Sequence, residues 1–181
     1  MRIEQNGFGS LGRLALAACL LVGASGCAPL LEHGRRVAER SAEAPQVPVA
    51  MTASEAAVYR ETNAYRKAHG LSELQPDARL VAIARHRSRD MAKRDYFSHV
   101  SPDGADVFAL MRHNKLLFAA AGENLARNNY ELTEAPEVAM QGWIKSPGHR
   151  ANLLHPAFGH IGVGEATAKD GKKYFTQVFT D

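Results

Sequence analysis

Cysteine is almost missing: the 181 residues contain only Cys19 and Cys27. Both fall at the start of the chain, so no disulfide framework is available to the remaining residues, even in an oxidising compartment. No apolar run reaches the ~20 residues of a comfortable membrane span. A Gly-x-Ser-x-Gly elbow and a His-Glu-x-x-His pair are both absent, which removes the two most compact signatures of a hydrolase. Ser98, Ser101 and Ser146 lie near histidines in sequence, a weak signal for a nucleophile. Lysine and arginine are interleaved with acids at a formal charge of +3 and form no stripe with stacking aromatics. Nucleic acid is excluded as a partner on that ground. There is no internal repeat.

The first segment is an export signal. Arg2 and Arg13 flank a polar start, residues 14–22 are apolar, and Ala24, Ser25 and Gly26 supply small residues before Cys27. A retained anchor helix is the competing reading of this short run. "LVGASGC" resembles a bacterial lipobox, which makes Cys27 the lipidation site and the mature N-terminus. It departs from the pattern at Ala24, and cleavage without a lipid is the alternative. Residues 1–26 are thus a signal peptide. Residues 27–53, which mix charges with Pro29, Pro45 and Pro48, read as a flexible tether. Residues 54–181 form one domain, of a size that can bury an ordinary core.

Within that domain, Thr52 and Glu55 form a capping box before a helix that Gly70 ends. Pro76 and Asp77 open a second helix running to Arg94, with Leu80, Ile83, Ala84, Arg87 and Met91 near helical spacing. The other arginines and His86 fall mainly on its far side. A turn at Pro102-Asp103-Gly104 precedes a short helix carrying Phe108 and Met111. A further helix begins near Thr133 and carries Val138, Trp143 and Ile144 inward. Ser146-Pro147-Gly148 is read as its stop, leaving His149 in the loop beyond. "HIGVGEATA" and "KYFTQVFTD" flank Asp170-Gly171, a strong hairpin signal. Helices followed by a hairpin predict an α+β class.

"FSHVSPDG", "AGENLA", "GWIKSPGHRANLLHP", "HIGVGEA" and "YFTQVF" occur in one order within this domain. Together they resemble the bacterial branch of the CAP superfamily (cysteine-rich secretory, antigen 5 and pathogenesis-related proteins, also called SCP-like). The resemblance implies a three-layer α-β-α sandwich with a C-terminal hairpin and a shallow polar cleft. In that family the cleft carries two histidines and two acids. Carried over, the histidines are His99 and His149 and the first acid is Glu123. The second acid falls on Ser146, and Asp103 is its candidate replacement. Gln177, on the strand face of Phe175 and Phe179, either enters the cleft or ends a buried hydrogen-bond network.

Two imidazoles and a carboxylate suit zinc, which would leave a position for ionisable water. The competing reading makes both histidines turn scaffolds and has Glu123 accept backbone N–H groups from the "SPGH" turn. Trp143 reads as a core anchor, and Asn124 and Arg150 as loop-orienting residues. The function these features point to is an exported, lipid-anchored binding module of the bacterial cell envelope, with a secreted or periplasmic soluble form as the alternative. It would act as a monomer, need no cofactor, and recognise a lipid, glycan or protein ligand. The second reading is a metal-assisted hydrolase using His99, His149 and Glu123.

Overall fold

The computed structural model describes residues 49–181. The signal peptide, the Cys27 lipidation site and most of the tether expected from the sequence lie outside the described residues. The last tether residues are fastened to the domain: Thr52 caps the first helix, and Arg85 donates to the carbonyl of Ala50 at 2.7 Å.

Helix α1 spans Ala53–Ala68, and both bonds of its capping box form, Glu55 N–H to Thr52 Oγ1 at 3.2 Å and Thr52 N–H to Glu55 Oε2 at 2.8 Å. Gly70, at φ +72°, takes the left-handed position that turns the chain out of the helix. A two-residue strand β1, Gln75–Pro76, comes next; because Pro76 has no N–H, its parallel pairing uses the flanking N–H groups of Gln75 and Asp77. Asp77 then caps α2 (Ala78–Arg94), accepting from the N–H of Arg79 and of Leu80. Helix α3 is Val107–His113, strand β2 Ala121–Asn128, and helix α4 Ala135–Lys145. Helix α5 is Pro147–Leu153, and β3 (His160–Thr167) and β4 (Lys173–Thr180) close the domain as the expected hairpin.

Strand order is β1-β3-β4-β2, with β4 antiparallel to both neighbours. Helices α1, α4 and α5 cover one face over a core of Val58, Met140, Trp143, Phe175 and Phe179. Helices α2 and α3 cover the other, over Leu80, Ile83, Met111 and Val178. This is the three-layer sandwich expected. The closeness of α2 to the sheet depends on two glycines of β3. A Cβ at Gly162 would stand 2.1 Å from the Leu80 carbonyl carbon, and one at Gly164 2.2 Å from the Arg85 nitrogen. With no side chains between them, helix and strand backbones touch, and Ser88 Oγ bonds both the Gly164 carbonyl and Thr176 Oγ1.

Two features depart from the sequence reading. "AGENLARN" is a strand, unanticipated because both of its faces are covered, so it carries no polar–apolar alternation. Ser146-Pro147-Gly148 does not simply end α4. Ser146 is at once the last cap of α4 and the first of α5, and Pro147 occupies the first-turn position that proline favours. His149 therefore sits in the first turn of a helix, not in a loop.

Candidate functional site

Glu123 and Asn124 are adjacent on β2, and alternation along the strand sends their side chains to opposite faces of the sheet. The polar interior is organised around this pair.

On the α2 side, Arg87 and Glu123 are both buried, 1% and 2% exposed. Arg87 donates from Nε to Glu123 Oε1 at 3.0 Å, from Nη1 to the Tyr96 hydroxyl at 3.0 Å, and from Nη2 to the Ser98 carbonyl at 2.7 Å. The second oxygen of Glu123 meets His99 Nδ1 at 2.6 Å. Beside a guanidinium the carboxylate accepts, so the imidazole proton sits on Nδ1. Arg87 thus holds both the acid and the backbone just before His99. Burial alone would pull the guanidinium pKa down, but the charge and hydrogen bond of Glu123 more than offset it and the net shift is upward. Tyr96 donates to Asp90 Oδ2 at 2.7 Å, and burial together with that carboxylate pushes its phenol up to about 12 against the opposing pull of Arg87.

On the opposite side the network is neutral. Asn124 donates to the carbonyl of His149 at 3.2 Å and to Gln177 Oε1 at 3.0 Å, and accepts from Asn152 Nδ2 at 2.9 Å. Asn152 also donates to the Glu123 carbonyl at 3.2 Å. Gln177 donates to Thr62 Oγ1 at 2.7 Å, which passes its own proton to the Val58 carbonyl at 2.8 Å. Gly122 makes room for this arrangement, since a Cβ there would meet Asn152 Oδ1 at 2.9 Å. His149 is buried, with Nδ1 2.8 Å from Ser146 Oγ.

The six residues singled out from the sequence therefore separate. His99 and Glu123 are in direct contact, as are His149 and Ser146, and Asn124 links the second pair to β2. Gln177 lies within the buried network, between Asn124 and Thr62, and contributes no exposed cleft group. Asp103 stands apart: its side chain is 72% exposed and its carboxylate pairs with Arg94. The acceptor role proposed for Glu123 toward the "SPGH" turn is replaced by Arg87 and His99. Trp143 is a core anchor, donating Nε1–H to the Leu125 carbonyl at 2.9 Å, and Arg150 holds the Ile144 carbonyl at 3.2 Å. Arg87 is the residue that sequence reasoning missed. The signal was its place on the apolar stripe of α2, where a charge must find a partner.

Among the described residues, no three His, Cys, Asp or Glu side chains are grouped so as to hold a metal ion. Glu123 does not fit as a direct ligand, because one oxygen faces a cation and the other the His99 proton. Nor, among the described residues, is any helix long and apolar enough to cross a membrane.

A three-layer sandwich with a histidine–glutamate pair at its centre defines a class of domain, and its relatives identify that class. The CAP family, described as the Cysteine-rich secretory protein family, matches residues 59–179, and the chain belongs to it. YkwD of Bacillus subtilis (strain 168) is 39% identical over 127 residues, 70% of this chain and 48% of YkwD. YlbC of the same organism, called a membrane protein, is 37% identical over 128 residues, 71% of this chain and 34% of YlbC. The chain thus spans about half the length of the first relative and a third of the second. The crystal structure of a Bacillus anthracis extracellular protein containing an SCP domain superposes with TM-score 0.61 at 33% identity, covering 76% of this chain and 45% of that one.

Proposed function

We propose that the protein is an exported binding module of the bacterial cell envelope, held there by an acylated Cys27. It acts as a single chain and recognises a lipid, glycan or protein ligand at the surface around His99, Glu123 and His149. One observation carries this reading: the buried Glu123 has both oxygens engaged, by Arg87 and by His99, and so is neither a poised base nor a metal ligand. A carboxylate so held serves as a rigid post for the imidazole. The description of the B. anthracis relative as extracellular, and of YlbC as a membrane protein, agrees with export and with a membrane location. No cofactor is needed. The alternative of a zinc-assisted hydrolase would require His99 and His149 to supply a site without Glu123, and nothing observed favours it.

The test has two arms. Mature protein recovered from cells should fractionate with membranes and carry an acyl adduct on Cys27, and Cys27→Ser should lose both; a soluble wild-type protein of unmodified mass overturns the anchor. Chelator-treated protein should co-sediment with isolated envelope polymers or lipids as well as untreated protein does. Stoichiometric zinc together with chelator-sensitive hydrolysis would overturn the binding reading.

A further inference from the structure

Arginine and carboxylate side chains commonly meet through two parallel hydrogen bonds, the fork of one matching the fork of the other. Arg87 and Glu123 do not. A single bond joins them, Nε to Oε1 at 3.0 Å, although both side chains are buried. The other two nitrogens of the guanidinium are taken elsewhere, Nη1 by the Tyr96 hydroxyl at 3.0 Å and Nη2 by the Ser98 carbonyl at 2.7 Å. Glu123 Oε2 is left to His99. What holds the far side of Arg87 therefore decides how the carboxylate is divided.

Tyr96 reaches that far side because α2 ends abruptly. Asp95 takes the left-handed position at φ +48°, where glycine is usual, and the N–H groups of Asp95 and Tyr96 both return to the Met91 carbonyl. The chain turns back on the helix and sets the Tyr96 hydroxyl between Arg87 and Asp90. There it accepts from Arg87 and donates to Asp90 Oδ2 at 2.7 Å, so the direction of the lone pair offered to Arg87 is fixed. Asp90 is steadied in turn by Arg94, one helical turn on, at 3.6 Å.

We infer that Tyr96, braced by Asp90, is a positioning residue for His99. It draws the guanidinium aside, limits it to one oxygen of Glu123, and so keeps the other oxygen for the imidazole. Without the hydroxyl, Nη1 loses its acceptor inside a buried side chain, and Arg87 gains by turning onto both oxygens at the expense of His99. The Nδ1–H tautomer, which Glu123 selects, then loses its advantage. This rests on the proposed function only in taking His99 as part of the ligand surface, and its test uses no ligand.

The full chain, labelled with nitrogen-15, is followed by magnetic resonance at pH 8, with the His99 ring assigned from His99→Gln. The wild-type ring should show one tautomer, protonated at Nδ1. In Tyr96→Phe, exchange of that proton with water should quicken about tenfold, and the two ring-nitrogen shifts should move toward each other as the second tautomer fills. Asp90→Ala, which keeps the hydroxyl but removes its brace, should quicken exchange about threefold. The Nε1–H of Trp143, bonded to the Leu125 carbonyl from the opposite layer, should exchange as in the wild type in both variants. Wild-type exchange and tautomer at His99 in Tyr96→Phe, or in Asp90→Ala should the former not fold, overturn the inference. So does an equal quickening at Trp143, which would make Tyr96 a general support of the fold. Failure of the envelope co-sedimentation described above would strike the ligand reading alone.

Discussion

Glu123 and Asn124 differ by one position and live in opposite electrostatic worlds. On the α2 side a buried carboxylate is balanced by a buried guanidinium and an imidazole. Across the sheet, Asn124, Gln177, Asn152 and Thr62 satisfy one another without a formal charge. Both arrangements leave the polar atoms partnered, but they respond differently to loss. A neutral group robbed of one partner keeps others, whereas a buried ion robbed of its counter-charge keeps the full penalty of desolvation. The ionic side is therefore the more fragile, and it is the side that holds His99.

The sharpest way to break this contrast is Arg87→Met, which strands Glu123 beside His99 alone and is expected to destabilise the fold by about 3 to 5 kcal/mol in denaturant unfolding. Adding Glu123→Leu should recover most of that loss; if the double variant is no better than the single one, the penalty lies in packing and the ionic account is wrong. Gln177→Leu, on the neutral side, removes one bond each from Asn124 and Thr62, but both retain another. The expected loss is about 2 kcal/mol by the same measurement, and a value matching that of Arg87→Met would erase the distinction between the faces. Gly122→Ala pushes on Asn152, which its own hydrogen bonds hold, and on the packed ring of Phe158 at 3.1 Å, and should cost about 1 to 2 kcal/mol. The smallest effect is a pH dependence. Because the Tyr96 phenol is raised in the folded state to about 12 from 10.0, its contribution is complete below pH 10 and disappears as pH climbs through 12. Tyr96→Phe should lose that alkaline limb of the stability profile, and an identical limb in both proteins would show that Tyr96 does not cause it.

The sequence reading succeeded where a signal is local. Thr52 with Glu55, Asp77 after Pro76, and Asp170-Gly171 each set an element through their own backbone bonds, and the structure has a helix or turn at each. It failed where meaning depends on a distant partner. Arg87 falls on the apolar stripe of α2, but nothing local says that its partner is Glu123, 36 residues on. The β2 strand lacks alternation because helices cover it on both sides. Pro147-Gly148 stops one helix and starts the next with the same residues, and only the placement of Ser146 as a shared cap distinguishes the two outcomes. The pairing of His99 with Glu123 was legible through family resemblance alone, since no spacing rule joins residues 24 positions apart.

The position of β4 in the strand order has a consequence in time. The last strand to be made lies between β3 and β2, which share no hydrogen bonds with each other. Until residues 173–180 exist, the two strands have nothing to pair through, and Phe175, Val178 and Phe179 are missing from both cores. The sheet then depends on contacts of long sequence separation that close late. The domain therefore cannot complete its sheet until its C-terminal strand has been made, wherever that takes place.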